Sequence, residues 1–490
     1  MNRVLPQKES GAYYTPDPVA RSLVQWAVRA PAERLLDPSC GDGRFVAAHR
    51  NSVGIEQDPL AAGEASARAR GAHIKQGDFF SWAESVTERF DCAAGNPPFI
   101  RYQTFKGDVR ARALSMCAGI GAHFSGLTSS WAPFLVVTAS LLRHGGRMAF
   151  VVPAEIGHAP YAAPLLEYLA AHFAVVHVVA VRDKIFPELS EDCWLLYCEG
   201  YGEETHEFRF TALASFGGMQ TPPGEFTRVP VADWRTDWNR RLRPYLLSPE
   251  FRNYYSAIAG CRDSRRLGDI ASIGIGYVSG ANDFFHLRPT EADRLGIPAG
   301  FLHPTVRNGR ALSARRLTAA TVEHWRRNDD PILLLRIPKG IEVPHTVRRY
   351  LDSEAGQVAR EAYKCRMRQP WYSVPDVQVP DYFLSYMIGL ESSLVRNEAG
   401  CTCTNSVHRV RVRDEEGQRR IEQAWGLPFT GLSCELEGHP LGGGMLKLEP
   451  GEAAQIVLPS AEALQILNGP MIDEATTIMR KWRHYGDETQ

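Results

Sequence analysis

The residues most able to do chemistry are Asn96-Pro97-Pro98-Phe99. They follow the apolar run Phe90-Asp91-Cys92-Ala93-Ala94-Gly95 and read as the loop that ends a buried strand, where α/β enzymes keep their reacting groups. Two consecutive prolines fix φ, donate no backbone hydrogen bond and push the residue before them into extended geometry. The Asn96 carboxamide and the neighbouring carbonyls are therefore expected to be rigid acceptors, with Phe99 as a flat apolar face beside them. An amino group on an aromatic ring supplies what such a site lacks, two donors and a π-surface. Modification of a nucleobase is the first expectation. Taken alone, the tetrapeptide reads equally as a Pro-rich turn capping a strand, and the upstream residues decide.

Upstream, Arg34-Leu35-Leu36-Asp37-Pro38-Ser39-Cys40-Gly41-Asp42-Gly43-Arg44-Phe45 predicts a short strand, a glycine turn and a helix over Phe45 to His49. Glycines at 41 and 43 leave room for a ligand to approach the backbone, and the helix offers its N-terminal NH groups. The loop lacks the third glycine of a dinucleotide fingerprint and the Lys-Ser/Thr of a phosphate loop, so neither NAD nor ATP is favoured. Val53-Gly54-Ile55-Glu56 predicts a second strand ending in an acid, suited to the two hydroxyls of a ribose. A third strand end, Gly77-Asp78-Phe79, brings an acid that can accept from an adenine amino group and a ring that can pack on it. Before all of these, Gly11-Ala12-Tyr13-Tyr14-Thr15-Pro16-Asp17-Pro18 is a turn leading into a helix over Val19 to Val28, with Thr15 or Asp17 as its expected cap. Any one acid alone is more often a surface charge or helix cap; their order along the chain is the signal.

In that order the chain resembles the gamma group of S-adenosylmethionine-dependent N6-adenine DNA methyltransferases, over residues 11 to 200. Tyr14-Thr15-Pro16 matches the motif on the methionine side of the cofactor, and Asp37-Pro38-Ser39-Cys40-Gly41-Asp42-Gly43 matches the glycine loop. Glu56 matches the ribose acid, Asp78-Phe79 the adenine contact, and Asn96-Pro97-Pro98-Phe99 the catalytic tetrapeptide. The first motif precedes the glycine loop, which is the gamma order. The tetrapeptide ends in Phe rather than Tyr. The resemblance implies a Rossmann-like class I methyltransferase domain, α/β with a mostly parallel twisted sheet, followed by an α+β target-recognition domain. S-adenosylmethionine is the implied cofactor and double-stranded DNA the implied partner. The cofactor-binding residues are then Tyr14, Thr15, Asp37, Ser39, Gly41, Gly43, Glu56, Asp78, Phe79 and Asn96. The catalytic ones are Asn96, Pro97, Pro98, Phe99 and, from the far side of the extruded base, Phe186, for which a core Phe beside Pro187 is the alternative reading.

The rest of the chain must position these groups. Gly107 to Ser130 reads as a mobile loop or as plain surface, Trp131 to Leu142 as an apolar helix, and Arg147 to Pro153, Val175 to Val181 and Cys193 to Cys198 as strands. Thr221-Pro222-Pro223-Gly224 is a breaker, so the expected organisation is a catalytic domain over 1–205, a connector over 206–260 and a recognition domain over 261–490. In the last of these, Ile270 to Phe285 reads as a strand and then a turn. Tyr363-Lys364-Cys365-Arg366-Met367-Arg368-Gln369-Pro370-Trp371-Tyr372 is basic with interleaved aromatics expected to pack inward. Lys364, Arg366 and Arg368 are its candidate DNA contacts, a solvated basic loop being the alternative. Gly442 to Leu448 reads as a turn into a strand and Ala461 to His484 as closing helices.

Composition excludes other classes. The 490 residues suit two or three domains, and no apolar run approaches the roughly 20 residues of a membrane span or a signal-peptide core. A cytoplasmic location is expected. The ten cysteines are scattered, and Cys401-Thr402-Cys403 has the wrong spacing for a zinc knuckle, so no metal is expected. Net charge is −1, yet residues 235 to 420 hold 30 Lys and Arg against 21 Asp and Glu, which marks the region expected to meet DNA. A protein-glutamine or RNA methyltransferase would use the same tetrapeptide, but such enzymes are not expected to carry so long a basic C-terminal module. Few residues precede the first motif and no nuclease constellation is evident, so cleavage is expected to need a separate restriction endonuclease or other defence-system subunits.

Overall fold

The computed structural model describes residues 14–189, 191–466 and 468–486; Gly11 to Tyr13 of the expected N-terminal turn lie outside them. The chain divides into two units, Met1–Ser248 and Pro249–Gln490.

The first unit runs α1 (Asp17–Ala27), β1 (Leu35–Asp37), α2 (Arg44–Ala47), β2 (Ser52–Glu56), α3 (Pro59–Arg68), β3 (His73–Gln76), α4 (Phe79–Ser85), β4 (Phe90–Gly95), α5 (Gly107–Gly119), α6 (Trp131–Ser140), β5 (Leu142–Pro153), α7 (Ala162–His172), β6 (Phe173–Val181), β7 (Cys193–Tyr201), β8 (Glu207–Leu213) and β9 (Thr227–Pro230). The strands form one sheet in the order β3-β2-β1-β4-β5-β7-β6-β8-β9. From β3 to β5 neighbours are parallel, and β7 runs antiparallel between β5 and β6. Strand order reverses between β1 and β4, so a crevice is expected beyond the carboxyl ends of these two strands. Asp37 ends β1 and Asn96 follows β4, so the candidate residues stand at that switch point.

Burial follows from residue type. The strands β1 and β4 read Leu-Leu-Asp and Phe-Asp-Cys-Ala-Ala-Gly and are buried almost throughout, as parallel strands covered on both faces must be. In α1, Val19, Ala20, Leu23, Val24 and Ala27 recur on one face and are buried. Nine of the ten residues of α6 are buried, which explains why it reads as uniformly apolar. Neither Thr15 nor Asp17 caps α1; Pro16 holds that position without a side-chain bond. The expected loop after Gly107 contains α5, of which only Ala113 and Cys117 are buried.

The stretch expected to be a connector instead contributes β8 and β9 to the sheet, β8 parallel to β6 and β9 antiparallel to β8. Thr221-Pro222-Pro223-Gly224 breaks the chain between two strands of one sheet, a role that composition does not distinguish from a linker.

In the second unit, Ala271–Ile275, His408–Val412, Tyr382–Leu384, Leu394–Asn397 and Arg316–Leu317 form one sheet in that order. His286–Leu287, Leu333–Leu335, Leu302–Val306 and Thr402–Cys403 form another. The expected strand over Ile270 to Phe285 is confined to Ala271–Ile275, and Asn282–Phe285 is a helical turn. Phe284 and Phe285 are both buried in one core cluster, which a strand cannot arrange because consecutive side chains point to opposite faces. The closing helix is Gly469–Lys481. Just beyond it, the buried Arg483 donates to both carboxylate oxygens of Glu435 on the helix Pro428–Glu437, a bidentate pair that fixes the two elements together. No helix among the described residues is long and apolar enough to cross a membrane.

Candidate active site

The glycine loop between β1 and α2 is held from below by Glu56. Its Oε2 accepts from the Gly41 amide at 2.8 Å and its Oε1 from the Asp58 amide at 2.8 Å. Gly41 has φ 51° and Gly43 φ 87°, a left-handed region that favours glycine. A Cβ on Gly41 would stand 3.2 Å from the Tyr14 ring, and one on Gly43 would stand 2.7 Å from the Ala65 Cα. Gly43 is therefore required for the close approach of α3. Asp42 ties the same loop down, accepting ion pairs from Arg44 at 3.0 Å and Arg68 at 2.8 Å. Burial and the carboxylates of Glu64, Asp42, Glu56 and Asp58 push the Tyr14 hydroxyl above its ordinary pKa.

Two buried polar atoms of the candidate site, on Asp37 and Thr15, have no hydrogen-bond partner among the described residues. Asp37 is fully buried; its Oδ1 accepts from the Ser39 amide at 3.1 Å, while Oδ2 has no hydrogen-bond partner among the described residues. Burial is the main reason its carboxyl is held well above the usual carboxylate range; the Ser39 amide opposes this and Glu56 and Asp42 add to it. Thr15 is 3% exposed and its Oγ1 is likewise without a partner. An unsatisfied buried acceptor is costly and calls for a ligand or water. A zwitterionic amino-acid head group with an ammonium donor fits these two oxygens, and a ribose fits Glu56, so the residues present suit S-adenosylmethionine.

At the end of β4, the Asn96 carbonyl accepts from the Ser39 hydroxyl at 3.2 Å, which ties the tetrapeptide to the glycine loop. Gly95 must lack a side chain, since a Cβ there would stand 2.7 Å from the Asp37 Oδ1. Downstream, Ser130 at the start of α6 clamps the loop. Its hydroxyl donates to the Pro98 carbonyl and accepts from the Ile100 amide at 3.0 Å, and its own amide donates to the Ile100 carbonyl at 3.0 Å. Sequence reading missed Ser130, because a serine before an apolar helix reads as a cap; here its side chain caps nothing and serves the loop. Phe99 is half-buried against an apolar cluster that includes Ile185, Phe186 and Leu189. Phe186 lies in the loop between β6 and β7 and is 6% exposed.

The expectations for Phe79, Arg368 and Tyr363 change, and Asp78 has a second role. Asp78 caps α4, its Oδ2 accepting from the Ser81 amide at 2.8 Å and the Ser81 hydroxyl at 2.7 Å. Phe79 is 3% exposed and stacks on Phe134 at 5.0 Å between centroids, so its ring offers a ligand almost no surface; it is the first residue of a helix and turns inward. Leu60, four residues after Glu56, is by contrast 70% exposed. In the second unit Lys364 and Arg366 are exposed, but Arg368 donates to the carbonyls of Ser279 at 2.5 Å and Val278 at 2.6 Å. Arg368 thus holds a loop in place. Trp371 and Tyr372 pack inward as expected, whereas Tyr363 is 64% exposed.

Comparisons with known proteins bear on the family and the fold. Residues 239–484 match the family described as Type II methyltransferase M.Eco57I, C-terminal domain, and residues 55–186 match the Eco57I restriction-modification methylase. The chain is 25% identical to the Type II methyltransferase M.XamI of Xanthomonas campestris pv. amaranthicola, over 93% of this chain and 86% of that one. It is 17% identical to the Type II methyltransferase M.AccI of Acinetobacter calcoaceticus, over 98% and 90% respectively. Among solved structures, the type IIL restriction-modification enzyme MmeI in complex with DNA superposes with a TM-score of 0.52 at 13% identity, covering 95% of this chain and 70% of that one; this likeness concerns the fold. On these matches the chain belongs to the Eco57I family of restriction-modification methylases and is an S-adenosylmethionine-dependent DNA methyltransferase.

Proposed function

We propose that the methyl acceptor is the N6 amino group of an adenine extruded from double-stranded DNA. The observation that carries this reading is the placement of Asn96-Pro97-Pro98-Phe99 at the β1–β4 switch point, tied to the glycine loop by Ser39 and clamped by Ser130. A base inside a duplex cannot meet a methyl donor in line, so it must leave the stack at a cost of a few kcal/mol. Phe99 is the stacking surface at the site, worth about 1–3 kcal/mol for a base, and Phe186, in the same apolar cluster, is the second wall. The Asn96 side-chain oxygen and the Pro97 carbonyl accept the two amino hydrogens, which turns the nitrogen lone pair out of ring conjugation. The cofactor supplies a methyl group made electrophilic by the sulfonium. Asp37, Thr15 and Glu56 would orient it, and Asp78, which also caps α4, would accept from its adenine amino group. Orientation of this kind accounts for several kcal/mol of rate enhancement.

Lys364 and Arg366 are the proposed phosphate contacts, the activity belongs to the cytoplasm where the DNA is, and cleavage falls to a separate endonuclease or defence subunit. The test is single-molecule modification sequencing of DNA from cells expressing this chain, beside an Asn96→Ala control. A methylated-adenine motif present only with the wild type is expected, with cofactor affinity nearly unchanged in the variant. Wild-type methylation by Asn96→Ala, or a modified base other than adenine, would overturn the assignment.

A further inference from the structure

Two loops, separate in sequence, carry the aromatic rings of the base site: the one after β4 with Phe99 and the one between β6 and β7 with Phe186. Each is pinned at its root. Ser130 holds Pro98 and Ile100, and the Arg101 carbonyl accepts from the amides of Thr104 at 2.9 Å and Phe105 at 2.8 Å. In the other loop, the Lys184 ammonium donates to the Leu189 carbonyl at 2.8 Å and the Leu189 amide to the Phe186 carbonyl at 3.1 Å. Between these roots an ion pair among the described residues spans from loop to loop: Arg101 Nη2 to Glu191 Oε1 at 2.5 Å. Arg101 lies two residues after Phe99, and Phe99 and Phe186 already share one apolar cluster.

We propose that Arg101 and Glu191 form a latch that sets the spacing of the two aromatic walls, as a pair of positioning residues for the extruded base. This rests on the reading of the site given above. A second carboxylate, Glu155, interacts electrostatically with the same guanidinium. It accepts from the Tyr161 hydroxyl, which in turn accepts from the Trp131 indole at 3.3 Å, and its charge interacts with Arg101 and Glu191. The Arg101 charge thus offsets the repulsion between the two acids. Removing it frees the loops and leaves Glu155 and Glu191 to repel, whereas removing both Arg101 and Glu191 frees the loops without that repulsion. The latch is exposed, the Arg101 side chain at 64% and Glu191 at 33%, and exposed pairs are individually weak. A small effect follows, about 2- to 5-fold on a conformational equilibrium.

The test is a double-mutant cycle in the full chain with Arg101→Ala, Glu191→Ala and the double variant. Transfer of label from radioactive S-adenosylmethionine to plasmid DNA reads the rate, and calorimetry reads cofactor affinity. Fluorescence of 2-aminopurine placed at the target base reads its stacking. The expected result is a kcat lowered about 2- to 5-fold in each single variant, a brighter and less stacked reporter, unchanged cofactor affinity, and a double variant no worse than the worse single. Arg101→Lys recovers part of the rate. Additive losses overturn the latch. So does Glu191→Ala at or above wild-type rate beside an impaired Arg101→Ala, since Arg101 would then act alone on the DNA backbone. Label transfer counts any methylated base, so failure of the adenine assignment shows separately as a different modified nucleoside.

Discussion

Asn at position 37 separates what the buried carboxylate does for folding from what it does for the cofactor. Asp37→Asn keeps the side chain's shape and its acceptor for the Ser39 amide but removes a charge that is fully buried and repelled by Glu56 and Asp42. The carboxyl binds its proton more tightly in the folded chain than in the unfolded one. Its ionisation therefore destabilises the fold, negligibly below the ordinary carboxylate pKa and increasingly as pH rises above it. At neutral pH the variant is expected to be more stable without cofactor by at least about 1 kcal/mol, which for a unit of this size raises Tm by about 2–4 °C. Cofactor affinity moves the other way. A hydrogen bond to a charged acceptor contributes about 1.5–3 kcal/mol, so Kd for S-adenosylmethionine should rise about 10- to 150-fold. Scanning fluorimetry with and without cofactor, together with titration calorimetry, reads both effects in one preparation. A lower Tm combined with unchanged affinity would refute the reasoning, because the unsatisfied oxygen would then be no part of the cofactor site. Stability given up at a functional site in this way is common.

Two glycines of neighbouring elements should respond oppositely to alanine. Gly43→Ala meets Ala65 at 2.7 Å with φ at 87° and should lose about 2–4 kcal/mol, whereas Gly63→Ala on the open face of α3 should gain about 0.5–1 kcal/mol; denaturant midpoints read both. Ser130→Ala removes the clamp on Pro98 and Ile100 and should destabilise by about 1–3 kcal/mol, lowering kcat while cofactor Kd stays put. Burial pushes His177 down to about 4, with its Nε2 at 2.9 Å from the Thr211 hydroxyl. The unfolded chain thus binds the proton more readily, and stability present in full above about pH 6.5 is lost as pH falls toward 4, by up to about 3 kcal/mol. In urea titrations over that range His177→Gln should show a shallower acid slope than the wild type.

Much of the site was legible in the sequence because its parts are local. A glycine turn between strand and helix, an acid at a strand end and a rigid Asn-Pro-Pro segment each declare themselves within a few residues, and their order along the chain carried the family resemblance. The parallel strands were legible as apolar runs, and the structure puts Asp37, Glu56 and Asn96 at the ends of β1, β2 and β4. What remained hidden depends on which neighbours a side chain meets across the fold. Phe79 turned inward because Phe134, far along the chain, supplies a ring to stack on. Arg368 is tied to the carbonyls of Val278 and Ser279, while Lys364, of similar sequence context, stays exposed. Ser130 and Glu191 had no signal at all, since a clamp and a latch are defined by partners about 30 and 90 residues away and the energy of each contact arises only once the sheet brings its partner within reach. The sequence determined which groups could bind a cofactor and hold an amino group; only the tertiary structure decided how the loops bearing them are tied together, because loop-to-loop distances are set by strand order and packing rather than by local preference.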